Sequence, residues 1–357
     1  MEIKVTLASP EKMRAKPKDE SALGFGKIFS DHMFTMRYRE GSGWGDARIV
    51  PYGPLPIDPA AMVLHYGQEI FEGLKGYRGP GGAVCLFRPE KNFERLNLSA
   101  RRLCMPQIPV EDVLDAVTAL LRVDRGWIPA SRGTSLYIRP TMIATEPGLG
   151  VRPSAEYLFY IITGPVGSYY ARGLSPVRIL VEETYVRAVR GGLGEAKAGA
   201  NYAASLLASK NAKESGYDQV LWLSADGREE VEEVGTMNIF FVIGAEVVTP
   251  PLSGSILPGV TRDSVLAIAR DWGMNVSERR IGMQELKAAA AKGSLREVFG
   301  TGTAAVISPV GELRYRAENV VVNGGAPGEI SRRLFDEITG IQYGEIDDRY
   351  GWVRRVE

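Results

Sequence analysis

The segment EVGTMNIFFVIGAEVVTPPLSGSILPGVTR, residues 233–262, is the stretch that decides the fold class. Residues 237–244 and 246–250 are rich in Val, Ile and Phe, and such runs bounded by Gly and Pro predict β-strands. The sequence Leu-Pro-Gly-Val at 257–260 precedes an amphipathic run, 261–273, that predicts a helix. Because the first N–H groups of a helix lack intrahelical acceptors, they can bind an anion. The segment therefore predicts two strands and then a helix whose start is a candidate phosphate site.

Strands and helices interleave along the rest of the chain without a strict β-α-β alternation. Runs rich in β-branched and aromatic residues predict further strands at 47–50, 83–87, 135–145, 156–163, 177–183, 219–224, 228–234 and 303–310. Ala-Asp-Gly at 225–227 predicts a tight hairpin turn. Apolar periodicity predicts further helices at 90–103, 110–122, 201–215, 284–293 and 327–340. This mixture predicts an α+β (mixed α/β) fold.

The length of 357 residues predicts a chain of about two domains. The stretch 165–176 is dense in Gly, Pro and Ser, which are typical of a connection. We therefore predict a smaller N-terminal α/β domain at 1–164, an interdomain connection at 165–176 and a larger C-terminal domain at 177–357.

The composition is that of a globular protein with a small-molecule ligand. Hydrophobic residues make up 45% of the chain and charged residues 24%, which excludes a disordered chain and a coiled-coil rod. The 43 Lys and Arg residues balance the 43 Asp and Glu residues, so the formal net charge is zero. Nothing in that balance indicates nucleic acid or an anionic membrane as a partner.

The chain has few residues that could form disulfides or bind metals. Cys85 and Cys104 are not spaced as a Cys-x-x-Cys pair, and His32 and His65 are the only histidines, so no metal site is predicted. The first twelve residues lack the apolar core of a signal peptide, and no apolar run reaches about 18 residues. We therefore expect a cytoplasmic protein in a reducing compartment.

Two glycine-rich stretches raise the possibility of nucleotide binding, and both fall short of the motif. Residues 191–203 contain the glycine spacing of a P-loop, but Ala200 and Asn201 stand where Lys and Ser or Thr are needed. Residues 299–307 match G-x-G-x-x-A, but an apolar β-like run follows the glycines where a dinucleotide site needs a helix. Neither stretch predicts a nucleotide site.

Lys197 stands in the sequence AKAGANYA, among four small residues. Most lysines are solvated surface charges, and a surface lysine does not need small neighbours. A lysine that holds a flat ligand close to the backbone does need them. Such a lysine can form a Schiff base with a carbonyl cofactor once its ammonium is deprotonated.

Other polar residues in apolar surroundings each allow a structural or a functional interpretation. Glu233 either faces solvent beside Glu232 or keeps a cofactor pyridinium protonated. Arg95 is either a surface helix residue or a phosphate ligand, since a guanidinium matches phosphate geometry. Tyr66 and Tyr137, and Arg139 beside the latter, are either interior residues or ligand contacts.

Together, these segments resemble the branched-chain amino acid aminotransferases, members of the class IV group of pyridoxal-phosphate (PLP) enzymes. The resemblance runs from GFGKIFSDHM (24–33) to IQYGEIDDRYGW (341–352), almost the whole chain. Its most specific part is EVGTMNIF (233–240) followed by VVT (247–249) and LPGVTR (257–262). It implies a two-domain fold type IV PLP enzyme, similar to D-amino acid aminotransferase, that transfers an amino group from L-leucine, L-isoleucine or L-valine to 2-oxoglutarate by a ping-pong route.

The resemblance also implies roles for matching residues at the cofactor. Lys197 would carry PLP and move the proton between the amino acid α-carbon and the cofactor C4′. Glu233 would pair with the pyridine nitrogen, and Tyr202 would hydrogen-bond the ring hydroxylate. The phosphate would be held by Arg95, Val260, Thr261 and Thr303.

On the substrate side, the resemblance implies that Tyr66 and the backbone around Ala304 receive the carboxylate. Arg139 would lie on the outer side of an apolar pocket lined by Phe25, Phe71, Tyr137, Tyr169 and Thr236. Leu149 and Val151 would reach the partner subunit's site, which makes a homodimer the functional unit. A pocket without a spare charge suits Leu, Ile and Val side chains. A difference of one methylene changes the binding free energy by only about 1–3 kcal/mol, so we expect activity on all three.

Two alternatives keep the fold. D-amino acid aminotransferases, R-selective amine transaminases and aminodeoxychorismate lyases share the lysine and the glutamate, although LYIRP, HYGQEIFEG and IQYGE favour the branched-chain group. A binding protein that kept the fold without catalysis is the other alternative, and no expected catalytic position is lost in this chain.

Overall fold

The computed structural model describes residues 1–167 and 174–356, which form two compact units. Of these, the first unit holds 1–167, 196–199 and 340–356, and the second holds 174–195 and 200–339. Both units are therefore discontinuous in sequence, whereas the sequence analysis divided the chain at a single connection. A short segment around Lys197 and the C-terminal segment belong to the first unit, and the sequence gives no local signal for either assignment.

The first unit is built on a mainly antiparallel sheet, and helices pack against it. Its strands before residue 168 are β1 (Lys4–Val5), β2 (His32–Arg39), β3 (Gly43–Pro51), β4 (Glu69–Phe71), β5 (Leu74–Arg78), β6 (Val84–Phe87), β7 (Ser135–Ala144) and β8 (Glu156–Val166). Of these, β1 and β3 pair in parallel. Its helices are α1 (Met62–Tyr66), α2 (Pro89–Arg102) and α3 (Val110–Val123). Apolar residues recur on one face of α3, and Val113, Leu114, Val117, Leu120 and Leu121 are all buried, as the periodicity predicts.

From residue 174 onward the chain forms a second set of elements. The strands are β9 (Val177–Val181), β10 (Gln219–Leu223), β11 (Val231–Val234), β12 (Met237–Ile243), β13 (Glu246–Thr249), β14 (Asn275–Glu278), β15 (Leu295–Gly302), β16 (Val306–Tyr315), β17 (Glu318–Val321) and β18 (Val353–Val356). The helices are α4 (Gly199–Ala204), α5 (Leu206–Glu214), α6 (Val260–Asp271), α7 (Met283–Ala291) and α8 (Glu329–Tyr343).

The two sheets differ in closure. In the first unit the strand order is β1-β3-β2-β8-β7-β5-β6-β18, with β4 paired to β7, and the sheet is open. In the second unit β11 pairs with both β10 and β12, so that β11, β10, β9, β16, β15 and β12 form a closed ring. β13 and β14 extend this ring, and β17 pairs with β16. Closure leaves β11 without a free edge and buries all four of its residues.

Most predicted elements are confirmed, and the differences have identifiable causes. The helix predicted at 201–215 is broken at Ser205 into α4 and α5. The predicted hairpin of β10 and β11 is present, but β11 begins at Val231, so the turn is longer than Ala-Asp-Gly. β15 was missed because its glycines lower strand propensity. A Cβ on Gly300 would lie 2.9 Å from Met237 Cε and 3.0 Å from Val234 Cγ1, so both side chains pack closely over the glycine.

The fold also shows why the G-x-G-x-x-A match in residues 299–307 is not a dinucleotide-binding motif. The strand β15 precedes the glycines of residues 299–307, but the antiparallel strand β16 follows them. The helix that a dinucleotide site needs is absent at this point. In the described part of the chain, every helix is too short or too polar to cross a membrane.

We predict that Phe93→Ala in α2 lowers the free energy of unfolding by about 3–5 kcal/mol, because Phe93 is completely buried in the first unit's core. The matched control is Leu98→Ala on the same helix, where the side chain is 48% exposed and the loss should stay under about 1 kcal/mol. Urea denaturation followed by circular dichroism measures both. Equal losses for the two variants would contradict the packing described here.

Candidate active site

Lys197 is fixed by its backbone in the first unit. Its N–H donates to Ser99 Oγ at 2.9 Å, and its carbonyl accepts from the Phe71 N–H at 3.0 Å. Ala198 forms an antiparallel bridge with Ile70, so the lysine segment lies along β4 like a short additional strand. The Lys197 Nζ lies 5.0 Å from the centre of the Phe71 ring. The side chain therefore starts from a backbone that three separate contacts hold in place.

The small neighbours of Lys197 have a packing reason in this structure. Ala196 and Ala198 are buried, and a Cβ on Gly199 would lie 2.5 Å from Glu69 Oε1. A side chain at Gly199 would have to displace the Glu69 carboxylate, and the alanines on either side of Lys197 take up little space against β4. The small residues around the half-buried Lys197 therefore have a packing cause, which is the close contact with the strand.

Arg95 is a buried residue of α2 and not a surface one. Its Nε and Nη2 donate to the two carboxylate oxygens of Glu72, each at 2.8 Å. Asn92 Nδ2 donates to Glu72 Oε2 at 2.9 Å. Burial raises the pKa of Glu72, but the charge and hydrogen bonds of Arg95, with the charge of Lys197, outweigh it and lower the pKa overall. This fork fixes the plane of the Arg95 guanidinium.

Four of the residues predicted for the substrate pocket lie in contact with one another in the first unit. The rings of Phe25 and Tyr137 meet edge to face with centres 5.0 Å apart. Arg139 Nη2 donates to the Tyr137 hydroxyl at 3.0 Å, and its guanidinium carbon lies 4.6 Å from the centre of the Phe71 ring. Phe25, Phe71, Tyr137 and Arg139 thus form one cluster in the first unit. Tyr169, predicted for the same pocket, lies outside the described residues.

Tyr66 and the loop that carries Leu149 and Val151 are also neighbours. The Tyr66 hydroxyl donates to the Leu149 carbonyl, and Tyr66 is 40% exposed. Leu149 and Val151 are 68% and 84% exposed, unusually high fractions for large apolar side chains. The structure thus places these two residues on the surface of the first unit.

Glu233 is buried at the point where the second unit's ring closes. It pairs in register with Trp222 on β10 and with Asn238 on β12. Glu233 Oε1 accepts from Asn238 Nδ2 and from the Leu257 N–H, both at 3.0 Å, and Oε2 lies 2.8 Å from Arg187 Nε. The solvent-facing interpretation is therefore wrong, because only 3% of Glu233 is exposed.

Arg187 links Glu233 to the segment that leads into α6. Besides its ion pair with the carboxylate, Arg187 donates from Nη2 to the carbonyls of Gly194 and Ser255. Glu233 is thus a buried carboxylate that accepts two hydrogen bonds and lies beside an arginine. A carboxylate held in this way is the type of group that can pair with a protonated pyridine nitrogen.

The start of α6 has the backbone geometry that the predicted phosphate site needs. Gly259 is the N-cap residue, and no side chain caps this end of the helix. A Cβ on Gly259 would overlap Asn238 Oδ1, so the chain can pass this closely only with glycine there. Val260 and Thr261 are the first two residues of the helix, and both are buried. Their N–H groups lie in the turn that sequence analysis assigned to phosphate.

The remaining predicted residues of the second unit are held on turns and on α4. Thr236 lies in the β11–β12 turn, and Thr303 and Ala304 lie in the β15–β16 turn. Because Asn238 pairs with Thr301, these two turns project from the same end of the ring. Tyr202 is a half-buried residue of α4. The turns thus bring predicted cofactor and substrate residues to one end of the ring.

Sequence reasoning missed the residues that hold the predicted ones in place. These are Glu72, Asn92, Ser99, Arg187 and Asn238. One signal was available, because Glu72 stands in an apolar run and a buried acid needs a partner, the argument already applied to Glu233. Nothing in the local sequence marks Arg187 or Ser99.

The chain was then compared with known proteins. Residues 69–313 match the model of the amino-transferase class IV family. Branched-chain-amino-acid aminotransferase 2 of Bacillus subtilis is 54% identical over 99% of this chain and 97% of its own length. Branched-chain-amino-acid transaminase 1 of the same bacterium is 55% identical, over 96% of each chain.

The fold of this chain is also similar to that of solved branched-chain amino acid aminotransferases. The branched-chain amino acid aminotransferase of Thermobaculum terrenum in its PLP form superposes with a TM-score of 0.74 at 26% identity, covering 93% of this chain and all of that one. The chain therefore belongs to the class IV aminotransferases, a family of PLP enzymes. Within that family it is one of the branched-chain amino acid aminotransferases, and its mixed α+β architecture is fold type IV.

We predict that Glu72→Gln destabilises the protein by about 3–5 kcal/mol at neutral pH, because it leaves Arg95 buried without its counter-charge. The pKa of Glu72 is lowered by folding, so its contribution to stability is present above about pH 4.5 and is lost as the pH falls through the depressed pKa. Unfolding measured from pH 7 downward should show a flatter acid dependence in the variant. Glu94→Gln, on the exposed side of α2, is the control and should match the wild type.

A second prediction concerns Gly259. Gly259→Ala should push Asn238 away from Glu233 and weaken PLP binding at least tenfold, since the added methyl group takes the place of the Asn238 amide. Gly282→Ala is the control, because the nearest atom to its new Cβ would be 3.7 Å away. Fluorescence titration of each apoenzyme with PLP measures the effect. If Gly259→Ala binds PLP with unchanged affinity, the contact of Asn238 with Glu233 does not contribute to PLP binding.

Proposed function

We propose that this protein is a branched-chain amino acid transaminase that transfers the amino group of L-leucine, L-isoleucine or L-valine reversibly to 2-oxoglutarate. The observation that carries the proposal is the buried Glu233, paired with Arg187 and held by Asn238 at the closure of the ring. An enzyme that uses a pyridine ring as an electron acceptor needs such a fixed carboxylate. The name of the two Bacillus subtilis relatives supplies the substrate class.

The residues present fit PLP. The buried carboxylate of Glu233 suits the ring nitrogen. The start of α6, which no side chain caps, and the buried Arg95 are both groups that suit a phosphate. When bound, PLP supplies an aldehyde and a ring that accepts electrons. In the proposed arrangement Glu233 keeps the ring nitrogen protonated, and Tyr202 hydrogen-bonds the ring hydroxylate. Arg95, Val260, Thr261 and Thr303 hold the phosphate.

Lys197 is the proposed catalytic residue. Its amine would hold the cofactor through the aldehyde that PLP supplies, and the same amine would carry the proton between the α-carbon of the amino acid and C4′. A general base must be held within reach of both atoms. The two backbone hydrogen bonds to Ser99 and Phe71 and the bridge at Ala198 provide that positioning.

Substrate selection is proposed to come from the cluster of Phe25, Phe71, Tyr137 and Arg139, together with Tyr169 and Thr236. The aromatic rings provide apolar surface for a branched side chain. Tyr66 and the backbone around Ala304 receive the carboxylate. Arg139, which hydrogen-bonds Tyr137, is the proposed group for the second carboxylate when glutamate or 2-oxoglutarate is bound.

We also propose a homodimer that works in the cytoplasm. Leu149 and Val151 expose most of their apolar surface, and covering them with a second copy would remove that surface from water. The same loop would then reach the partner subunit's site. Both cysteines are free thiols, which suits a reducing compartment.

We predict that Lys197→Ala lowers the rate of L-leucine transamination by at least about a thousand-fold, because the proton between the α-carbon and C4′ then has no carrier. A coupled assay with 2-oxoglutarate measures the rate. Lys210→Ala is the control, since Lys210 is an exposed lysine paired with Glu214, and it should retain full activity. Near-native turnover in Lys197→Ala would end the assignment of this residue.

The same preparation decides the substrate class. L-leucine should convert the cofactor from the yellow form to the pyridoxamine form, and D-alanine should not. Clear preference for D-alanine would move the protein to the D-amino acid aminotransferases of the same fold.

A further inference from the structure

A cavity of about 470 Å³ lies in the second unit, away from the residues assigned to cofactor and substrate. It is lined by the connection between β10 and β11, by β11 itself, by parts of the segment 250–256, by Val189 and Arg190, and by Arg280. Its volume falls within the range of small-molecule pockets. None of the residues predicted for PLP or for the substrate lines it.

Glu232 is the buried acid of this cavity. The pairing of β11 with β10 passes from Val231 opposite Leu223 to Glu233 opposite Trp222, so Glu232 is the extra residue of a β-bulge, a device that re-aims a side chain. Ser255 Oγ donates to Glu232 Oε1 at 2.5 Å, while Oε2 has no hydrogen-bond partner among the described residues. Only 8% of Glu232 is exposed, and burial raises the pKa of its carboxyl. A buried carboxylate oxygen without a donor is costly unless a ligand supplies one.

The other charges of the cavity are paired except one. Arg228 Nε lies 3.6 Å from Asp226 Oδ2. Arg280 Nη1 lies 3.2 Å from Glu230 Oε2. Arg190 is exposed, and no carboxylate of the described residues lies within 4.0 Å of its guanidinium. The cavity therefore offers one buried carboxylate oxygen without a hydrogen-bond donor and one exposed guanidinium without an ion-pair partner among the described residues.

Apolar side chains line the rest of the cavity, among them Val189, Val231, Pro250 and Ile256. A ligand that satisfies the whole lining has an ammonium group, a carboxylate and an apolar body. We propose that this cavity binds a free α-amino acid with an apolar side chain, with its ammonium group on Glu232 and its carboxylate on Arg190. It is a second amino acid site, separate from the one where the reaction takes place.

The cavity is connected to Glu233 by direct contacts. Ser255 donates its hydroxyl to Glu232, and its carbonyl accepts from Arg187, which pairs with Glu233. A ligand that binds Glu232 Oε2 would draw the carboxylate toward itself, and Ser255, which donates to Oε1, would move with it and shift the carbonyl that accepts from Arg187. This coupling rests on the role proposed for Glu233, whereas the binding site itself does not.

The binding test uses isothermal titration of the PLP-loaded enzyme with N-methyl-L-leucine, a zwitterion whose secondary amine is not a transamination substrate. We expect millimolar or tighter binding to the wild type and at least tenfold weaker binding to both Glu232→Gln and Arg190→Gln. Glu232→Gln keeps the shape of the side chain, and Arg190→Gln changes an exposed position that the fold does not need. Arg178→Gln, an exposed arginine paired with Glu312 away from the cavity, is the control and should bind like the wild type.

Absence of binding to the wild type would overturn the site. So would binding that either cavity variant leaves unchanged, because the compound would then lie elsewhere. The coupling has its own readout, a shift of the cofactor absorption band on saturation that Glu232→Gln abolishes. Binding without that shift overturns only the coupling, and failure to transaminate L-leucine overturns only the proposed function.

Discussion

The ion pair of Glu233 with Arg187 is the interaction on which the second unit depends. A carboxylate placed inside a closed ring of strands loses its hydration and must be given charge and hydrogen bonds in return. Arg187 supplies the charge, and Asn238 and the Leu257 N–H supply the hydrogen bonds. These partners come from the segment before Lys197, from β12 and from the approach to α6. One buried charge therefore fixes three separate parts of the chain around a ring that closes at the same point.

The first unit also buries a carboxylate, and it pairs that carboxylate differently. Glu72 and Arg95 form a buried fork in which each carboxylate oxygen receives one guanidinium nitrogen. The sheet around it is open, and the short segment at Lys197 lies against β4 through backbone hydrogen bonds. The guanidinium plane and the lysine backbone are thereby set before any ligand binds. Such preorganisation avoids ordering the groups during the reaction.

Glu232 and Glu233 show how two adjacent acids can differ in their partners. Both are buried, and Glu232 is the extra residue of a β-bulge between Val231 and Glu233. Glu233 accepts two hydrogen bonds on Oε1 and has Arg187 Nε 2.8 Å from Oε2, whereas Glu232 Oε2 has no hydrogen-bond partner among the described residues. The difference between the two acids therefore lies in their partners and not in the residue type.

Local sequence signals are enough to predict several elements and the family of the protein. The apolar face of α3, the Gly-closed end of α7 and the Pro-Gly start of α6 follow from periodicity and helix-end chemistry, and the order of motifs around Lys197 and Glu233 identified the family. The assignment of the lysine segment and the C-terminal segment to the first unit is visible only in the tertiary structure, as is the ring that β11 closes. The same is true of the two buried ion pairs, Arg95 with Glu72 and Glu233 with Arg187. These are pairings between residues far apart in the chain. A local pattern can show that a buried charge needs a partner, but which residue becomes that partner depends on how the whole chain packs.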